Sequence, residues 1–217
     1  MQKALIVWGG WQGHEPEACA KVVAAILQSE GLAVSVENST EAFADPALDR
    51  FDLIVPIITQ AEISKEALSN LVAAVDGGVG LAGFHGGMGD SFRNAVDYQF
   101  MVGGQWVAHP GNIIDYRVHI SRPDDPLMAG LADFDYRSEQ YYMHVDPSNE
   151  VLATTTFSGE HAPCTAQVEM PVVWKRRFGR GRVFYSSLGH VAAEFDVPQM
   201  KTILQRGMLW AARSEAS

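Results

Sequence analysis

Cysteine is nearly absent from this sequence: Cys19 and Cys164 are the only two, far apart and in unrelated contexts. With no Cys-x-x-Cys pair, neither a disulfide framework nor a zinc knuckle is indicated, and the usage fits a reducing compartment. Long apolar runs are lacking as well, and nothing approaches the roughly 20 residues of a membrane-spanning helix. Met1-Gln2-Lys3 passes directly into Ala4-Leu5-Ile6-Val7-Trp8, which is too short for the apolar region of a secretory signal and reads as a first buried strand. The expected location is cytoplasmic. Basic residues are in deficit: 16 Lys and Arg face 26 Asp and Glu, a formal net charge of −10. That disfavours nucleic acid, since displacing counterions from phosphates requires a positive face. Small molecules are the expected partners, with no role for a membrane.

Several catalytic signatures are missing too. The serine elbow Gly-x-Ser-x-Gly has no match, because Tyr185 stands where Ser187-Leu188-Gly189 would need a glycine. Gly78-Val79-Gly80-Leu81-Ala82-Gly83 fits Gly-x-Gly-x-x-Gly in letters only, since it lies before and within a strand instead of between strand and helix. Cys19 reads as core, and Cys164 sits in a loop with no evident base. No His-x-His or His-Glu-x-x-His pair fixes a metal. His14, His85, His109, His144 and His190 could still converge in space, which leaves a divalent ion open as the one cofactor the sequence suggests.

What is present is a chain able to bury one sizeable core, 217 residues with 47% hydrophobic content. No linker, repeat or low-complexity tract divides it, so one domain over residues 1–217 is expected. Its first half alternates short apolar runs with amphipathic stretches, the pattern of parallel strands joined by crossover helices in an α/β protein. Strands are predicted at 3–8, 32–37, 52–58 and 79–84. Helices are predicted at 16–30, opened by Pro16 and stopped by Gly31, and at 64–76. The segment 79–84 is small and apolar throughout, as a strand buried on both faces must be. From about 104 to 175 the pattern turns β-rich, with strands at 116–120 and 151–155, and the chain closes with a strand at 182–187 and a helix at 198–212. The basic run Lys175, Arg176, Arg177, Arg180 and Arg182 straddles Gly179 and Gly181 and reads as a solvated hairpin turn.

Ligands of open α/β sheets bind beyond the carboxyl ends of the strands. The predicted strands run there into Gly9-Gly10-Trp11-Gln12-Gly13-His14, Thr59-Gln60, His85-Gly86-Gly87 and Leu188-Gly189-His190. Glycines at such turns let the backbone approach a ligand closely, and imidazoles exchange protons near neutral pH. A site shared by these turns is the economical explanation.

The segments Gly83-Phe84-His85-Gly86-Gly87, Gly103-Gly104 followed by His109-Pro110, and Ser138-Glu139-Gln140-Tyr141-Tyr142 are joined by Pro171-Val172-Val173-Trp174 and a long motif from Gly179 to His190. Together they resemble the ThuA-like family of trehalose-utilisation proteins over nearly the whole chain. The resemblance implies a class I glutamine amidotransferase-like fold. That is a flavodoxin-like three-layer sandwich with a mostly parallel central sheet and, here, β-rich insertions in the second half. His85 would stand where an amidotransferase has its cysteine, so glutaminase activity should be absent. Asp125-Pro126 replaces a His-Pro pair common in the family. The resemblance further implies carbohydrate metabolism on an oxidised, 3-keto sugar or glycoside. His85, His190 and Glu139 would be the catalytic groups, and Trp11, His14, Gln60, Gly86, Gly87, His109, Tyr141 and Trp174 would line the sugar site. A non-catalytic carbohydrate-binding protein and a metal-dependent hydrolase are the competing readings, and the acidic surface leaves room for a homodimer.

Overall fold

The computed structural model describes residues 1–213. The first half forms as its periodicity predicts. Strand β1 (Lys3–Gly10) leads through a short turn into helix α1 (Pro16–Ser29), and β2 (Ala33–Glu37) follows. Proline opens α1 where its missing N–H costs nothing, and Gly31 leaves the helix at a φ of +83°. Strand β3 (Leu53–Thr59) precedes α2 (Lys65–Asp76), which is capped by the Ser64 hydroxyl accepting from the Ala67 N–H. Strand β4 (Gly80–Phe84) runs without a loop into the one-turn helix α3 (His85–Gly89). Then follow α4 (Val96–Val102), β5 (Gly104–Ala108), β6 (Ile113–Ile120), β7 (Phe134–Glu139), β8 (Tyr142–Val145), β9 (Glu150–Thr156), β10 (Glu169–Phe178), β11 (Gly181–Ser186) and α5 (Pro198–Ala211).

Nine strands make one sheet in the order β2-β1-β3-β4-β11-β10-β9-β6-β7, and β5 pairs with β8 apart from it. The strands from β2 to β11 in that order are mutually parallel. Every pairing from β11 onward to β7 is antiparallel. The sheet is therefore mixed, where a mostly parallel one is expected from the sequence. Parallel neighbours need long crossovers, and the chain supplies helices for these only in its first half. The later strands are joined by turns and loops that return the chain antiparallel. Of those later strands, β6, β7, β9 and β10 extend the main sheet, while β5 and β8 pair apart from it.

Successive residues of the parallel strands face opposite layers. Ala4 and Ile6 of β1, with Leu53, Val55 and Ile57 of β3, pack against α1 and α5. Leu5, Val7, Ile54 and Ile58 pack on the other side with α2 and α4. Helix α5 lies so close to the sheet that a Cβ on Gly207 would meet the Phe184 ring at 2.3 Å. Among the described residues no helix is long and apolar enough to cross a membrane.

The basic run does form a hairpin, β10 to β11, turning at Gly179 with φ +54°. Only part of it is solvated: Lys175 and Arg176 are largely covered and pair with Asp125 and Asp146, while Arg177 and Arg180 are exposed. Asp125 thus serves an ion pair within the fold. Cys19 is buried, and burial, assisted by Glu15 and Glu194, pushes its thiol up to about 12, whereas Cys164 is exposed. An aromatic disulfide reagent at pH 8 should therefore titrate one thiol per native chain and a second only after denaturant is added. Two equally fast thiols in the native protein would contradict the burial of Cys19.

Candidate functional site: a carboxylate ringed by imidazoles

Four strand ends meet at one point. Beyond β1 the chain turns at Gly10, φ +74°, where a Cβ would collide with the Thr59 carbonyl oxygen at 2.0 Å. Glycine is required, and the turn delivers His14. Beyond β4 the first residue is His85, which holds a left-handed φ of +47°. Such a conformation costs about 1–3 kcal/mol for a non-glycine residue. It swings the imidazole sharply off the strand axis. Gly86 makes room beside it, because a Cβ there would lie 2.6 Å from Cε1 of His14. Gly87 packs against the backbone of Ile57. Glu139 ends β7, and His190 follows β11.

Glu139 is the hub. Its Oε2 lies 3.1 Å from Nε2 of His85, 3.5 Å from Nδ1 of His190 and 3.7 Å from Nε2 of His14. Its Oε1 lies 3.7 Å from Nε2 of His109. His190 Nδ1 is also 3.3 Å from His85 Nε2. The His85 side chain is only 1% exposed, whereas His190 and His109, at 16% and 28%, lie toward solvent.

Behind these rings stands a set of fixing contacts. His85 Nδ1 donates to the Ser187 carbonyl oxygen at 2.8 Å, which sets its tautomer and leaves a lone pair on Nε2. His14 Nδ1 bonds the Thr59 hydroxyl at 2.9 Å. The Tyr185 hydroxyl donates to the His85 carbonyl, and the Tyr141 ring stacks on His85 with centroids 4.0 Å apart. Glu194 accepts from the backbone N–H groups of Gly189 and His190 and from the Tyr136 hydroxyl, which pins the loop that carries His190.

Burial and the neighbouring charges divide the protonation states. Desolvation lowers His85 to about 4 against the opposing pull of Glu139, so this ring is neutral near pH 7. His190 also pays for burial, but Glu139 beside it outweighs that and raises it. Burial pushes Glu139 up, and the three imidazoles pull it further down, so its carboxyl stays ionised.

Of the sugar-site residues expected from the sequence, His14, Gly86, His109 and Tyr141 lie in this cluster. Trp11 stands at its rim, 51% exposed, edge-on to His14 at 4.9 Å. Trp174 is a correction. It is fully buried, donates its indole N–H to the Val102 carbonyl and packs on Tyr185, so it offers no face to a sugar. Gln60 sits exposed at the end of β3, held by its backbone N–H on the Asp90 carbonyl. His144 lies exposed on β8 and does not join the other imidazoles.

Residues 3–211 match the family model ThuA, described as trehalose utilisation. The chain belongs to the ThuA family. Its fold is similar to that of a ThuA-like protein from Bacteroides uniformis, 18% identical, with a TM-score of 0.79 over 97% of this chain and 91% of the other. A ThuA-like protein from Parabacteroides merdae is 17% identical, with a TM-score of 0.79 over 100% and 92%. A cytoplasmic protein from Salmonella typhimurium, 12% identical, aligns over 98% and 100% with a TM-score of 0.67. Identities this low carry the fold alone. No curated protein matches the chain. In this ThuA-family chain, sequence reasoning misses Thr59, Ser187, Tyr136 and Glu194 as parts of the site. For Thr59 and Ser187 a signal existed, since both sit at carboxyl ends of strands beside residues already singled out. Tyr136 and Glu194 gave none.

Proposed function

We propose that this ThuA-family chain is an enzyme of carbohydrate metabolism that acts on an oxidised, 3-keto sugar or glycoside by acid/base elimination, hydrolysis or isomerisation. The observation that carries the reading is the meeting of two imidazoles on one carboxylate, His85 at 3.1 Å and His190 at 3.5 Å from Glu139. Burial favours the neutral, accepting form of His85, and Glu139 favours the proton-bearing form of His190. The family's link to trehalose utilisation supports a carbohydrate substrate.

A ketone at carbon 3 acidifies the hydrogen on carbon 2. In the eliminating case, that proton passes to an imidazole and leaves an enolate across carbons 2 and 3. The enolate then restores the ketone as a double bond forms between carbons 1 and 2 and the bond from carbon 1 to the glycosidic oxygen breaks, and the departing oxygen takes a proton from the acid. Each well-placed acid or base contributes about 10²–10⁴-fold. The exposed face of Trp11 suits a sugar ring, and His14 and Tyr141 back the reacting groups. On the amidotransferase-like reading of the fold, His85 would stand where such an enzyme has its cysteine, and no glutamyl thioester would form.

A panel of 3-keto-glycosides, their unoxidised parents and glutamine, with product analysis, tests this. Turnover is expected only for the oxidised sugars, with slowing or label loss when carbon 2 carries deuterium, and with no ammonia from glutamine. Binding of every 3-keto-glycoside without turnover would replace the enzyme with a non-catalytic sugar-binding protein.

A further inference from the structure

The hydrogen bonds around Glu139 do not close. His85 spends its Nδ1 proton on the Ser187 carbonyl, so its Nε2 aims a lone pair at Glu139 Oε2 from 3.1 Å. The carboxylate oxygen also brings lone pairs. His14 Nε2 is buried, has no hydrogen-bond partner and points at the same oxygen from 3.7 Å. His190 Nδ1 comes within 3.3 Å of His85 Nε2. Four atoms that can each serve as a metal ligand thus surround one small volume, all within 4.8 Å of one another. With the proton of His190 displaced, their lone pairs gather in a largely buried place, which calls for a positive charge between them.

We infer that His14, His85, Glu139 and His190 form a binding site for one divalent transition-metal ion. The spacing fits. Ligand atoms about 2.1 Å from a tetrahedral ion stand about 3.4 Å apart; the three contacts to Glu139 and the His85–His190 contact span 3.1 to 3.7 Å, and every pair of the four lies within 4.8 Å. The outer contacts fit as well. A metal-bound imidazole uses its second nitrogen to hold a carbonyl or hydroxyl, which fixes tautomer and ring plane. His85 does so with Ser187 and His14 with Thr59. Three imidazoles and one carboxylate select a borderline ion such as Zn²⁺, Fe²⁺, Co²⁺, Ni²⁺ or Mn²⁺ over Ca²⁺ or Mg²⁺, which prefer all-oxygen shells.

The site stands on geometry alone and goes beyond the reaction proposed above. A bound ion would polarise a ketone or hydroxyl oxygen of the sugar. It would also claim the lone pairs of His85 and His190, which leaves His109 at the rim as the imidazole free to move a proton.

The test is direct. Protein stripped with a chelator is loaded separately with Zn²⁺, Mn²⁺, Co²⁺ and Ni²⁺, passed through gel filtration, and its metal measured by mass spectrometry. One ion per chain is expected for at least one of these metals. His190→Ala, at the half-open edge of the cluster, and Glu139→Gln should each bind at least tenfold more weakly with the circular dichroism unchanged. Thr59→Val, which removes only the contact behind His14, should weaken binding about 10–100-fold. No ion retained from any of the four metals would overturn the inference. So would an ion retained equally by wild type and by His14→Ala/His190→Ala. Metal content is independent of turnover: an ion bound without activity on 3-keto-glycosides sinks the sugar reading alone, and failure to retain any ion sinks this one whether or not the sugars react.

Discussion

Glu139→Gln should lower turnover of the correct 3-keto-glycoside by about 10²–10⁴-fold, with far-ultraviolet circular dichroism and substrate KM little changed. The substitution keeps the shape of the side chain and removes its charge. Four imidazoles lie within 3.7 Å of that carboxylate, so one change disturbs every group that handles a proton. His190 loses the partner that favours its protonated form, and His85 loses the anion it faces. The binding surface at Trp11 remains, so the loss belongs in kcat. Steady-state kinetics on purified variant protein decide the matter, and a variant with wild-type kcat would remove Glu139 from the chemistry.

Trp174→Ala should destabilise the fold by about 3–5 kcal/mol, whereas Trp11→Ala should change stability by less than about 0.5 kcal/mol and raise KM for the sugar. The two indoles look alike as letters and differ in surroundings. Trp174 is fully buried on β10, packs on Tyr185 with ring centroids 4.4 Å apart and leaves the Val102 carbonyl without its donor if truncated. Its removal opens a cavity and orphans a polar group at once. Trp11 is half exposed and touches only the edge of His14 among the aromatic rings around it. Urea unfolding of both variants, followed by fluorescence, measures the difference. An unchanged midpoint for Trp174→Ala would contradict its place in the core.

The sequence by itself determined the local elements and the turns that end them. The 3.6-residue period of 16–30 and the apolar run of 79–84 are visible without any partner. Each reflects interactions within a few residues, whereas the need for glycine beside His85 comes from His14, which meets it only in the folded chain. The carboxyl ends of β1, β3, β4 and β11 were legible for the same reason, and with them His14, His85 and His190 as candidates. Tertiary structure alone decided which of these side chains meet. Glu139 reaches His85 across 54 positions, and His85 reaches Ser187 and His190 across 102 and 105. No local pattern encodes contacts of that span. The antiparallel half of the sheet, the exclusion of Trp174 and His144 from the site, and the four-atom spacing around Glu139 are likewise products of strand order and layer packing. Periodicity reports which face of a strand is buried; only the assembled sheet fixes what stands opposite it.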